Sequence, residues 1–472
     1  MALNLVRNSR VYFTTNVDSS TGVVAATGFT AANTQELQVL DGFTFSQNTN
    51  ADTVTISEAG GAPVRGQRAF NTSLAPVDFS MSTYIRPFNA TTAITAEESV
   101  LWNALFSTND ISTANTITLT GVSGVTYSFA SGDGTLTIAG ASMVTTGLNV
   151  GDWVVVGGLT HGTASDAAIV NASGKLVTVT ASSITLTLAA PKAGAITSIG
   201  LATATTVKLY KSAWAPVTAT SSYVSSGGSN FNQLQKFGMI FVVDNQTYVV
   251  DNCAMNQVTV DFGLDAIATA AWTGQGTVLK ALSTALVLTS ATAKNTTAPF
   301  ITNKLSTVSM SLVKALGSAA AGTSYAVALT GGSITINNNI SYITPANLGV
   351  VNLPAVYYTG TRAISGTMNA YLKTGSGVNS TGQLLQDMLA AISASTEPMA
   401  TISIAIGGSG NGNRVVLDMP AVTFSIPTVD VQQVVSTAIN FTAEGYTPSA
   451  TAADTVFALD ETNDIAVRYY AA

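Results

Sequence analysis

The stretch that decides the fold reads SMSTYIR over residues 80–86, and a near copy, TMNAYLK, follows at residues 367–373. Position by position the two are identical or chemically close, at a constant offset of 287. Two flanking matches keep the same order: FTFSQN at 43–48 with ITINNN at 334–339, and ALFS at 104–107 with AAIS at 390–393. Three ordered matches at nearly one offset indicate a duplicated unit. Ser80, Ser82, Tyr84 and Arg86 alternate with Met81, Thr83 and Ile85, and Thr367, Asn369, Tyr371 and Lys373 alternate with Met368, Ala370 and Leu372. That period of two belongs to a strand with one wet face and one packed face.

Working outward, RVYFTTNV at 10–17, ELQVLDGFTFSQN at 36–48 with a turn at Asp41 and Gly42, and TVTIS at 53–57 read as strands, and GGAPVRGQR at 60–68 reads as an exposed loop. Beyond the repeated strand, Thr95 and Glu98 stand in capping-box spacing, with Glu97 in the first turn where the helix dipole favours acid. Leu101, Trp102, Leu105 and Phe106 then form one apolar stripe of a short helix. The second copy repeats the design with Thr381 as N-cap and Leu384, Leu385, Met388, Leu389 and Ile392 on one face. Both units close alike, Asp261–Gly276 matching Asp430–Gly445 at an offset of 169 and pairing Trp272 with Phe441.

The fall in offset leaves 117 extra residues in the first unit, which marks an inserted domain. TITLTGV, TLTIAGA, WVVVGGL, LVTVTA and ITLTLAA inside it are strand-like runs separated by glycine turns, the pattern of a small all-β domain. The expected organisation is domain one at 1–112 and 211–290, the insert at 113–210, and domain two at 295–472. The expected fold class is mainly β.

Only 9% of the 472 residues are charged, against about a quarter in an average protein, while 46% are apolar. Such a chain expects to bury much of its surface. With 18 basic against 25 acidic side chains the net charge is −7, which disfavours tight phosphate binding. No run of about 18 apolar residues spans a membrane, and Arg7 to Arg10 interrupt MALNLV too early for a secretory core, so a cytoplasmically made, soluble product is expected. Cys253 stands alone, excluding an intrachain disulfide.

The constellations that carry chemistry are missing from the sequence. His161 is the one histidine and reads as an exposed loop residue, with no nucleophile and orienting carboxylate around it. Zinc sites built on several His or Cys are excluded by count. GGSGNGN at 407–413 lacks the lysine and helix of a phosphate loop and reads as a hairpin turn between TISIAI and RVVLDM. SGDG at 131–134 offers one carboxylate, too few for calcium. Neither an enzyme nor a cofactor or metal site is expected.

RNSRVYF near the N-terminus, the run from Thr53 through SEAGGAPVRGQRAFNTSLAPVDFSMSTYIRP to Pro87, LTGGSITINNNISYITP at 329–345 and the closing TNDIAVRYY together resemble the major tail tube protein of long-tailed bacteriophages, in its double-length form. The resemblance covers the chain except for the insert. It implies a β-sandwich with a flanking helix in each of two tube domains, three chains rather than six per ring, and rings stacked into a tube that conducts DNA into the host. It implies a virion location, partners among other tail proteins such as a length-determining and a terminator protein, and DNA passing without specific binding. One departure stands out: some double-length relatives carry a decoration domain after the second unit, whereas here the extra domain interrupts the first. Pairing every sheet edge in a ring also removes an aggregation hazard. The lumen face is assigned to Ser80, Ser82, Tyr84 and Arg86 with Thr367, Asn369, Tyr371 and Lys373, and Met81, Ile85, Met368 and Leu372 are assigned to the packed side. The competing reading is a bacterial surface-layer or adhesin-type β protein.

Overall fold

The computed structural model describes residues 9–40, 42–56, 66–90, 93–106, 116–210, 213–214, 234–312, 319–373, 380–393, 399–425, 428–431, 435–444 and 465–470. Short breaks within those ranges fall at 131–132, 144, 146–147, 149–152, 172, 189–191, 204, 245, 265, 296–297, 320–322, 326, 349 and 408–412. The fold is mainly β. After an opening strand β1 (Arg10–Thr14), the strands that matter below are β2 (Thr44–Ile56), β3 (Gly66–Tyr84), β4 (Phe237–Val243), β5 (Gln246–Asp261), β6 (Thr269–Gly276) and β7 (Ala328–Asn337). They continue with β8 (Ile340–Ile343), β9 (Val356–Thr359), β10 (Ala363–Tyr371), β11 (Met399–Ile406), β12 (Arg414–Phe424), β13 (Thr428–Val431), β14 (Val435–Ala443) and β15 (Ala466–Tyr470).

Seven of these form one antiparallel run in the order β2, β3, β6, β5, β7, β10, β14. The alternation read from the repeated strand holds along it. Val77, Phe79, Met81 and Thr83 are buried on β3, and Ile364, Met368 and Ala370 on β10, while the residues between them face out. The middle of the run is the ladder of β5 with β7, Gln257 opposite Asn337 through Asp261 opposite Ser333. It joins the half of the chain that carries β3 to the half that carries β10.

Each half also has a long strand that serves two sheets. β5 pairs with β4 up to Cys253 and with β7 from Gln257, while its ladder with β6 runs from Ala254 through a bulge between Met255 and Gln257. Likewise β12 pairs on one side with β15 over Arg414–Asp418 and then with β14 over Val422–Phe424, while β11 follows it as far as Thr423. Strands that switch sheets at a bulge make the corner of a sandwich. The space between the layers holds one large apolar cluster that includes Phe79, Met81, Trp272, Ile334, Met368, Leu417 and Phe441. Burying each such side chain contributes about 1.5–3 kcal/mol.

Helix α1 (Ser99–Phe106) is an internal element rather than a cover: Leu101, Trp102, Leu105 and Phe106 are all at most 1% exposed. Its start differs from the sequence expectation. Leu101 and Trp102 donate backbone N–H groups to the Glu98 carbonyl, so Glu98 opens the helix, and Thr95 lies in a two-stranded hairpin. The acids are not dipole ornaments on a wet turn either. Glu98 is buried and accepts the Tyr469 O–H of β15, and buried Glu97 accepts the backbone N–H of Asn295 at 2.9 Å. The second helix, α2 (Thr381–Ser393), is opened by Ser380, whose Oγ accepts the Gln383 N–H, one residue before the expected Thr381. Leu384 and Met388 face the core, and Leu389 is exposed.

Residues Thr116–Tyr210 make a separate seven-stranded sheet. Its strand order is Thr116–Thr120, Thr206–Tyr210, Trp153–Gly157, Ser173–Val179, Ser183–Leu188, Asp133–Gly140, Val122–Ala130. It has its own core of Leu119, Leu136, Ile138, Val154, Ile184, Leu186 and Val207. The strand at Val122–Ala130 and the short helix at Ala164–Val170 are additions to what the sequence suggested. His161 is half-buried rather than free in solvent, with a ring nitrogen 2.8 Å from the Thr197 carbonyl and the other 3.9 Å from Asp166.

Candidate functional site

The outward face of the seven-stranded run can be read off ladder by ladder. Thr44 and Ser46 on β2 stand beside Asp78, Ser80, Ser82 and Tyr84 on β3, then Gln275, Thr273, Ala271 and Thr269 on β6. Gln257, Thr259 and Asp261 on β5 follow, then Asn337, Thr335 and Ser333 on β7. Ser365, Thr367, Asn369 and Tyr371 on β10 and Thr442, Asn440, Ala438 and Ser436 on β14 complete it. Hydroxyls and amides dominate because the opposite face takes all the bulky apolar residues.

These side chains tie to one another across the strands. The Thr44 and Ser80 hydroxyls are 2.7 Å apart, Gln275 donates to Asp78 at 2.9 Å, the Thr259 and Thr335 hydroxyls are 3.0 Å apart, and Thr367 donates to Asn440 at 2.8 Å. Each such cross-strand pair is worth about 0.2–1 kcal/mol and holds its side chains flat on the sheet. The strand residues just named include two charges, Asp78 and Asp261, and no lysine or arginine. Where the halves meet, a depression of about 640 Å³ opens between Asp261, Asn303, Gly331, Ser333 and Asn369. Neither amide atom of the buried Asn303 has a hydrogen-bond partner there.

Of the residues assigned from sequence, Ser80, Ser82, Tyr84, Thr367, Asn369 and Tyr371 lie together on this face, with Met81 and Met368 buried beneath it. Arg86 does not. The strand ends at Tyr84, and Arg86 is 1% exposed, donating to the Ala298 carbonyl and to Gln38, with its guanidinium 4.6 Å from the Phe300 ring centre. A period-two count carried past the end of a strand has no meaning, and a buried arginine needs these acceptors. Lys373 is exposed but lies two residues beyond the end of β10. Sequence reading missed the contributions of β5, β6, β7 and β14. Their signal was present in QVTVD, TAAWTGQG, SITIN and STAINFTA, which alternate in the same way.

The ladders also test the match of SMSTYIR to TMNAYLK. Thr44 faces Ser80 and Met81 faces Trp272, while Thr335 faces Ser365 and Gly366 faces Phe441. With Thr44 matched to Thr335 and Trp272 to Phe441, the partner of Ser80 is Ser365, two residues from the Thr367 chosen by residue type. Tyr84 therefore stands level with Asn369, not Tyr371. A shift of two keeps every side chain on its face.

No protein-family model matches the chain. It is similar to the tail tube protein pb6 of Escherichia phage T5, with 23% identity over 453 residues, covering 94% of this chain and 73% of that protein. The match thus spans nearly the whole sequence.

Proposed function

We propose that this chain is a structural virion protein whose rings stack into a phage tail tube, the conduit through which DNA leaves for the host. The observation that carries the reading is the seven-stranded polar face, continuous through both halves of the chain, whose ladder residues from Thr44 to Ser436 named above include no lysine or arginine. A passing duplex meets hydroxyls, amides and two carboxylates there, so phosphates find water instead of salt-sensitive attachment points. The tail tube protein that matches most of the chain supports the same reading.

In this reading the chain holds two tube domains, 1–112 with 211–290 and 295–472, and three chains close a pseudo-sixfold ring. The lumen face is Ser80, Ser82 and Tyr84 with Thr367, Asn369 and Tyr371, joined by Thr273, Thr259, Thr335 and Asn440. The insert at 113–210 points away from the lumen, because a domain of that size inside it would block passage. An interface that closes around a ring and stays open along the axis yields a tube of indefinite length, so other tail proteins must set and cap it. Catalysis has no role here. Electron microscopy of the purified protein is the test. Tubes or threefold rings with six similar lobes are expected, and closed dimers, flat sheets or six chains per ring would overturn the proposal.

A further inference from the structure

Strand β15 is held from three directions. On one side it runs along β12, Arg414 opposite Tyr470 through Asp418 opposite Ala466. On the other it pairs with a short strand from the first half of the chain, Ala213 opposite Arg468 and Trp214 opposite Val467. Beneath it, the Tyr469 ring enters the core, where its hydroxyl donates to Glu98 and accepts the Trp102 indole N–H at 2.7 Å. Glu98 opens α1 and Trp102 lies in its first turn. The cluster therefore ties a strand of the second half to the helix of the first, beside a ladder too short to hold alone.

The carboxyl at the centre of this anchor has donors but no counter-ion. Glu98 is 1% exposed, and besides the Tyr469 hydroxyl it meets the backbone N–H of Arg86 at 3.4 Å. The Arg86 guanidinium is turned away, to the Ala298 carbonyl and Gln38, and Lys294 pairs with Glu36 at 3.5 Å. Glu97, also buried, accepts the Asn295 N–H and adds like charge beside Glu98. A carboxylate so placed is costly, whereas the neutral acid is not. We propose that Glu98 is a proton-operated latch on β15: protonated, it keeps Tyr469 and the strand seated, and ionised, it favours an opened strand in which the carboxylate reaches water. Opening undoes the junction with Ala213 and Trp214. It leaves β12 paired with β11 and β14, so the event is local rather than a global unfolding. Burial, only partly opposed by the Tyr469 hydrogen bond, pushes the Glu98 pKa up to about 7 from a usual 4.5. The closed strand thus binds the proton more tightly than the open one. Closure is strongest below about pH 4.5 and weakens as pH rises through about 7. The latch does not depend on the ring assembly proposed above.

The test is amide hydrogen exchange of the full-length protein, read by mass spectrometry and corrected for the intrinsic pH dependence of exchange. The reference is the insert, whose strands Asp133–Gly140 and Ser183–Leu188 have a core of their own. Between about pH 5 and about pH 8, protection of Ala466–Tyr470 should fall on the order of tenfold or more beyond any change in those strands. An equal change in both regions would overturn the latch. Glu98→Gln, which keeps an acceptor for Tyr469 and carries no charge, should abolish the excess fall, and a variant that loosens like the wild type would also overturn it. Tyr469→Phe removes the bond that opposes burial, so the loosening should move to higher pH; a midpoint that stays in place counts against the proposal. Should Glu98→Gln not fold, the wild-type comparison and Tyr469→Phe still decide.

Discussion

Glu98 is a carboxyl held off water between two halves of the molecule. It accepts the Tyr469 O–H, and Tyr469 in turn accepts the Trp102 indole N–H at 2.7 Å. Burial pushes its pKa up to about 7 from a usual value of 4.5, the Tyr469 hydrogen bond only partly opposing this. The folded state therefore binds this proton more tightly than the unfolded chain does. The contribution is full below about pH 4.5 and is lost as pH rises through about 7. We expect Glu98→Gln, which keeps an acceptor for Tyr469, to flatten that part of the fall in melting temperature between those two pH values. An unchanged slope would assign the pH dependence elsewhere. Trp102→Ala should cost about 3–5 kcal/mol in chemical denaturation, since it leaves a cavity and removes a donor at once. Residues of this kind show what sequence could and could not yield. The apolar stripe of α1 was legible from its spacing, but the burial of Glu97, Glu98 and Arg86 was not. Their partners, Asn295, Tyr469 and Ala298, come from distant stretches that no local pattern connects.

Between strands the limiting dimension is the spacing of the sheet, and two glycines respond to it. A Cβ on Gly366 of β10 would lie 2.3 Å from Cζ of Phe441 and 2.7 Å from the Ser333 carbonyl. On β6 the same addition to Gly274 would meet Phe79 at 2.3 Å. Each glycine lets an aromatic ring of the neighbouring strand lie flat over the backbone. Gly366→Ala should destabilise by about 1–3 kcal/mol through overpacking, read as a lower denaturant midpoint with an unchanged slope. Central position adds a second expectation. Thr335 is paired on both sides, so Thr335→Pro removes a ladder bond and should leave the protein insoluble. At this scale the sequence was informative about faces and poor about register. Alternation specifies which side of the sheet a residue takes, and it is blind to slips of two, which is how the tyrosines came to be matched two places out of step.

Over the whole molecule, charge decides what the proposed conduit does to its cargo. Assembled tubes should bind duplex DNA more weakly than micromolar even at low salt. Thr273→Lys with Thr442→Lys, which plants two cations per chain on the polar face, should produce binding that weakens steeply as salt is added. Equal binding before and after the substitution would show that this face is not the one DNA meets. The insert supplies a separate check. Its sheet and core are its own, so replacing 113–210 with a short Gly/Ser linker should leave tube formation intact by electron microscopy.

One consequence concerns how the proposed ring would nucleate. The ladder between β5 and β7 lies within a single covalent chain, so in a ring of six tube domains every second junction forms at an effective concentration on the order of millimolar, set by the connecting segment. Only three junctions then depend on bimolecular encounter. The threshold protein concentration for polymerisation falls accordingly, and a growing tube that loses one chain opens a gap two positions wide, which a half-length intruder cannot fill.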